Sequence, residues 1–242
     1  MKDFSLVIPF YNEEHNIELV LSSLSQELKK HNIDYELVAV DNGSRDKTNK
    51  LICNLTKKDP RIRLVTVDKN KGYGFGIVSG LKTTTGQVVG FMDGDGQISP
   101  NSLYACYAAL KENPRLHLTK TFRVNRKDGL RRGFLSLSFN QLLQILFNIN
   151  SKDINSCPKL MKRECYEKIR PSSKDWFIDS EILIRAKQFR YTIKEIPARF
   201  NQRKKGKSNV YWKTLFEFIN NLIMWRITLF FEKQRAEKYG KT

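Results

Sequence analysis

The chain is predicted to fold as an α/β protein, with a mostly parallel central sheet and helices on both faces. Two patterns in the first half predict it. Short, near-continuous apolar runs of strand length alternate with amphipathic stretches of helical period, as parallel strands buried under their crossover helices do. Polar clusters then follow directly after three of the four strand candidates. That is the edge at which open α/β sheets bind their ligands.

The elements follow in order. Residues 4–9 (Phe4-Ser5-Leu6-Val7-Ile8-Pro9) read as a strand, with Pro9 marking its exit, and residues 13–30 as an amphipathic helix. A second strand covers 35–41, and a helix covers 45–58 with Ser44 as its expected N-cap. Residues 62–67 make a third strand. Gly72, Gly74 and Gly76 then lead into a helical stretch at 74–83. Their spacing misses the dinucleotide fingerprint. They are expected either to let the loop approach a ligand or backbone closely, or simply to turn the chain. A fourth strand spans 87–93, and Pro100 starts the next helix.

The fourth strand carries the sharpest chemical signal, because its apolar run ends in Asp93-Gly94-Asp95-Gly96-Gln97. Two hard oxygen donors there suit Mg²⁺ or Mn²⁺, with a phosphate completing the coordination shell. The same residues also make good turn chemistry. An EF-hand loop is excluded, since its sixth and twelfth positions would be Ile98 and Tyr104 rather than Gly and Glu. The first strand runs into Pro9-Phe10-Tyr11-Asn12-Glu13-Glu14 and the second into Asp41-Asn42-Gly43-Ser44. Three polar clusters at one sheet edge are what a nucleotide site requires.

Composition narrows the partners. The 242 residues carry a formal charge of +18, which draws polyanions, whether nucleic acid, anionic membrane or phosphorylated substrate. Solvated lysine faces account for part of the excess. No RNP, helix-turn-helix or zinc-finger pattern accompanies the charge, so nucleic acid is not the expected partner. Cys53, Cys106, Cys157 and Cys165 form no CxxC pair and lie far from the histidines, which indicates neither zinc nor a disulfide framework and fits a reducing cytosol. The amino terminus enters a strand directly, so no secretory signal is expected.

The second half is less regular. Residues 133–149 form an unusually apolar helical segment, and residues 211–231 another, rich in aromatics but interrupted by Lys213, Glu217 and Arg226. A spanning helix needs about 20 mostly uncharged residues, so the second is not expected to cross a membrane. Aromatics and cations beside an apolar face suit a membrane interface, and equally a helix packed on the domain.

With these clusters in place, the chain resembles family 2 glycosyltransferases of the GT-A fold, especially the dolichyl-phosphate mannose synthase and polyprenyl-phosphate hexosyltransferase group. The resemblance rests on residues 7–14, Val40-Asp41-Asn42-Gly43-Ser44, Lys71-Gly72-Tyr73-Gly74, residues 93–97 and a late stretch from Phe200 to Ser208 that contains Arg203. It implies a catalytic domain over 1–210, which leaves 211–242 as a C-terminal amphipathic helix, either membrane-interfacial or packed on the domain. It implies that Pro9, Tyr11, Glu13, Asp41 and Lys71 bind the nucleotide sugar, and that Asp93 lies near both the sugar nucleotide and the metal. Asp95 and Gln97 would bind the cation, Mg²⁺ or Mn²⁺, and Arg203 the diphosphate. Arg132 and Ser136, with Arg123, would hold the acceptor phosphate.

Departures from the group's pattern are Asn42 in place of a common Asp, Lys120-Thr121-Phe122-Arg123 in place of Gly-Ser-Arg, and Asp153-Ile154-Asn155-Ser156-Cys157-Pro158-Lys159 in place of a segment through Ser-Gly-Phe. The C-terminal membrane spans of many relatives have no counterpart. An anionic membrane surface or a membrane-anchored accessory subunit would then supply the lipid contact, at the cytoplasmic face. The implied reaction is inverting transfer of a hexose from a GDP-mannose or UDP-glucose type donor to a polyprenyl or dolichyl phosphate. A hydroxyl acceptor would instead need a carboxylate base. Asp153 and Asp179 are the candidates, and a cap or salt bridge would equally explain each.

Overall fold

A computed structural model describes residues 1–124, 140–201, 220–229 and 231. The first half runs β1 (Phe4–Phe10), α1 (Ile17–Lys30), β2 (Tyr35–Asp41), α2 (Thr48–Lys58), β3 (Ile62–Thr66), α3 (Tyr73–Leu81) and β4 (Val88–Phe91). It continues through α4 (Pro100–Glu112), β5 (Leu118–Arg123), the helical residues 140–147 (α5), β6 (Lys159–Lys162), α6 (Arg163–Ile169), α7 (Ile178–Gln188) and β7 (Ile193–Ala198). Residues 220–229 are helical again (α8).

The seven strands form one sheet in the order β3-β2-β1-β4-β6-β5-β7, and among them β6 alone runs against its neighbours. β2 is buried along its whole length and β1 everywhere but Pro9, which is why both read as unbroken apolar runs. β1 to β2 to β3 steps one way across the sheet, and β3 to β4 steps back. Right-handed crossovers therefore put α1 and α2 on one face and α3 on the other. α1 packs on α2 and α4, burying Ile17, Val20, Leu21, Leu24 and Leu28 at helical spacing. Each such side chain contributes about 1.5–3 kcal/mol.

Two local expectations are corrected. Ser44 does not cap α2, which begins at Thr48; the Asp46 carboxylate accepts the Thr48 N–H at 3.0 Å in its place. The Ser44 hydroxyl accepts the Asn12 N–H at 3.1 Å, tying the β1 exit to the β2 exit. α1 starts at Ile17 rather than 13, because residues 13–16 form a turn closed by Asn16 N–H to the Glu13 carbonyl.

β6 and β5 carry fully buried lysines. Lys159 pairs with Asp179, and Lys120 donates to the Thr121 and Asp153 carbonyls and to Glu195. α8 packs on the domain through Leu222 and through Trp225, which lies 6.0 Å from Phe177 between ring centroids. Its other face leaves Ile223, Met224 and Ile227 exposed, as is Ile145 on α5. No helix among the described residues is long and apolar enough to cross a membrane.

Candidate active site

The ends of β1, β2 and β4 lie side by side at one sheet edge, and the antiparallel β6 brings its start, Cys157-Pro158-Lys159, to the same edge. The predicted residues gather there. Pro9, Tyr11 and Glu13 leave β1 half-buried. The loop they begin is sewn to the β2 exit: Glu13 N–H donates to Thr48 Oγ1 at 3.1 Å, and the Arg45 N–H to Asn12 Oδ1 at 2.8 Å. Asp41 is buried at the end of β2, where its carboxylate accepts the Ser44 N–H at 3.0 Å and the Asn49 amide at 2.9 Å. The Lys71 amine lies over the Phe75 ring, 5.1 Å from its centroid.

Asp93 and Asp95 follow the β4 exit, both half-buried. Asp95 Oδ1 accepts the Gln97 N–H at 3.0 Å. Gln97 in turn reaches the late motif: its amide donates to the Asn201 carbonyl at 3.0 Å, and its own carbonyl accepts the Asn201 N–H at 2.9 Å. The segment that leads to Arg203 is thereby brought to the carboxylates. Arg203, Arg132 and Ser136 themselves lie outside the described residues.

The donor set fits a divalent cation. Burial in the protein around its carboxyl, and then the charge of Asp95, push the Asp93 pKa up to about 7. Two carboxylates that oppose each other's ionisation are relieved by a cation placed between them and a diphosphate. Asp95 and Gln97, the residues expected to bind a cation, lie side by side at the β4 exit.

The proposed acceptor and base residues are also located. The Arg123 guanidinium makes a two-pronged contact with Asp153, Nε at 2.7 Å and Nη2 at 2.9 Å, and lies 5.7 Å from the Phe200 ring centroid. Asp153 and Asp179 therefore each sit against a cation, Arg123 and Lys159 respectively. Burial works against the Lys159 charge, yet the Asp179 carboxylate holds its pKa above the ordinary lysine value.

Sequence reasoning missed what lies behind the carboxylates. Tyr73 donates its hydroxyl to Asp93 Oδ1 at 2.6 Å, and its ring stacks on Trp176 with centroids 4.2 Å apart. The glycines make this approach feasible. A Cβ on Gly72 would sit 2.3 Å from the Lys174 carbonyl oxygen, and one on Gly74 2.3 Å from that of Ser173. Gly72 also has φ +114°, which side chains rarely adopt. The loop thus uses its glycines for backbone approach, and Phe75 N–H donates to the Lys174 carbonyl at 2.8 Å. Asn42 holds the loop from the other side, its amide donating to the Gly72 carbonyl at 3.0 Å. The motif Lys71-Gly72-Tyr73-Gly74 was the visible signal; the tyrosine inside it went unused.

Comparison with known proteins shows the family of the chain. A family model described as "Glycosyl transferase family 2" matches residues 5–170. The chain is 25% identical to the dolichyl-phosphate beta-glucosyltransferase ALG5C of Trichomonas vaginalis, over 96% of this chain and 74% of that protein. It is 28% identical to ALG5A of the same organism, over 82% of this chain and 65% of that one. To the dolichol-phosphate mannosyltransferase of Pyrococcus furiosus it is 26% identical, over 90% of this chain and 62% of the relative. The chain therefore spans less than two thirds of the last two.

Among solved structures, glucosyl-3-phosphoglycerate synthase of Mycobacterium tuberculosis, in complex with Mn²⁺, UDP and glucosyl-3-phosphoglycerate, superposes with a TM-score of 0.70. Its identity is 22%, over 92% of this chain and 77% of that one, a likeness of fold. The same synthase with Mg²⁺ and UDP gives a TM-score of 0.66 at 22% identity, over 85% of this chain and 73% of that one.

Proposed function

Given that the chain belongs to glycosyl transferase family 2, we propose that it moves a hexose from a GDP-mannose or UDP-glucose type donor to a polyprenyl or dolichyl phosphate, with inversion, at the cytoplasmic face of a membrane. The observation that carries this reading is the convergence of Pro9, Tyr11, Glu13, Asp41 and the Asp93/Asp95 pair at one sheet edge. The names of the curated relatives, which act on dolichyl phosphate, support the acceptor class.

In this reading the base and ribose lie along Pro9, Tyr11, Glu13 and Asp41, with Lys71 at the sugar nucleotide. Asp95 and Gln97 hold Mg²⁺ or Mn²⁺, which when bound neutralises charge on the leaving diphosphate. Arg203 would share that electrostatic work. A lipid phosphate is already ionised near neutral pH, so it needs cations to bring it to an anionic donor more than it needs a base. Arg132, with Ser136 a helical turn later, would supply one contact. Arg123, oriented by Asp153, would supply another.

The membrane half of the reading rests on a second surface. Ile145, Ile223, Met224, Ile227 and Phe231 are exposed on a chain of charge +18. Apolar side chains in the interface and cations against an anionic leaflet add, the latter about 1 kcal/mol per well-placed residue. The division into a catalytic domain over 1–210 and an interfacial helix over 211–242 belongs to this proposal, as does a membrane-anchored accessory subunit.

The test is transfer of labelled sugar from GDP-mannose and UDP-glucose, with Mg²⁺ or Mn²⁺, into vesicles with and without polyprenyl phosphate. Label entering the organic phase only with the lipid phosphate is expected, and Asp95→Ala should abolish it while leaving the unfolding transition intact. Transfer to a sugar or polymer hydroxyl without lipid would overturn the acceptor assignment.

A further inference from the structure

From the contacts of Tyr73 we infer that this residue is a positioning residue for the reaction centre, aiming Asp93 at the donor and cation. The inference rests on the reading of Asp93 and Asp95 given above and adds a residue to it. The hydroxyl donates to Oδ1 of Asp93 at 2.6 Å, a charge-assisted geometry. Fixing one carboxylate oxygen fixes the direction of the other.

The ring that delivers the hydroxyl is itself held. Trp176 stacks on it at 4.2 Å and 12° between planes. Asn42 pins the preceding Gly72 carbonyl, and Phe75 N–H is bonded to the Lys174 carbonyl. Tyr73 therefore stands between two fixed backbone segments, its hydroxyl on the Asp93 carboxylate and 3.8 Å from Cys157 Sγ. A tyrosine wanted for chemistry on the substrate would not be covered by an indole.

A cycle of Tyr73→Phe and Asp93→Asn in the full chain tests this. Phenylalanine keeps the stack and removes the hydroxyl. The readouts are the Mn²⁺ dissociation constant in the presence of UDP or GDP, by electron paramagnetic resonance, and the urea midpoint. Tyr73→Phe is expected to weaken Mn²⁺ about tenfold when Asp93 is present and to have no effect in the Asp93→Asn background.

A second variant, Trp176→Leu, frees the ring while leaving the hydroxyl. It should lose about threefold, again only when Asp93 is present. Equal losses in both backgrounds, or none in either, would overturn the proposal, as would a wild-type chain that holds no Mn²⁺ with either nucleotide. The expected cycle from a chain that makes no lipid-linked sugar would support Tyr73 and sink the lipid acceptor alone.

Discussion

Replacing Asp179 by Asn should destabilise the protein by about 3–5 kcal/mol, the cost of breaking a buried ion pair. The figure follows from the burial of both partners: Lys159 has no exposed surface and Asp179 only 2%. Without the carboxylate, the Lys159 ammonium keeps the Ser156 carbonyl at 2.9 Å, which carries no full charge. The stranded lysine can escape by losing its proton. From an ordinary pKa near 10.4, that costs about 4.6 kcal/mol at pH 7, which sets the ceiling.

A domain of this size is stable by about 5–15 kcal/mol, so the variant should still fold, with a clearly lower midpoint. The pair Lys159→Met with Asp179→Leu should recover most of the loss, because no charge is then left buried. Urea denaturation followed by tryptophan fluorescence measures all three, with turnover recorded per folded molecule. An Asp179→Asn protein within about 1 kcal/mol of wild type but without turnover would refute the structural account. It would make Asp179 the base that a hydroxyl acceptor requires.

Two further outcomes are expected. Asn42→Asp should lose about 1–3 kcal/mol in urea denaturation, because a buried carboxylate cannot donate to the Gly72 carbonyl that the Asn42 amide now meets at 3.0 Å. Asp59 has its pKa lowered to about 2, chiefly by hydrogen bonds from Arg61. Its stabilising contribution is therefore complete above an unfolded value near pH 3.9 and is lost as pH falls through about 2; Asp59→Asn should flatten that part of the curve of stability against pH.

The first half of the molecule was legible in the sequence because β1, β2 and β4 are buried nearly throughout and end in polar clusters. β2 matches its predicted span, and the polar exits of β1, β2 and β4 fall together as expected. The rest was not, for a physical reason. Lys120 and Lys159 look like solvent-facing residues in a chain rich in lysine, yet both are fully buried and matched to partners 75 and 20 residues away. The Tyr73–Asp93 contact joins residues 20 apart. Its support from Trp176 comes from a segment no local pattern connects to it. Of the late motif, Phe200 and Asn201 are described, and the Gln97–Asn201 bonds with the bridge between Ile98 and Phe200 bring them to the β4 exit.

The glycine-lined junction between residues 72–75 and 173–175 limits how these two segments can move. No side chain fills that junction, so it has nothing that could slide or repack when the two halves of the sheet shift. It is closed by a main-chain hydrogen bond directly behind Asp93. Separating residues 72–75 from residues 173–176 would break that bond and the stack of Tyr73 on Trp176. Any closing motion that keeps this bond carries residues 72–75 and 173–175 together as one unit.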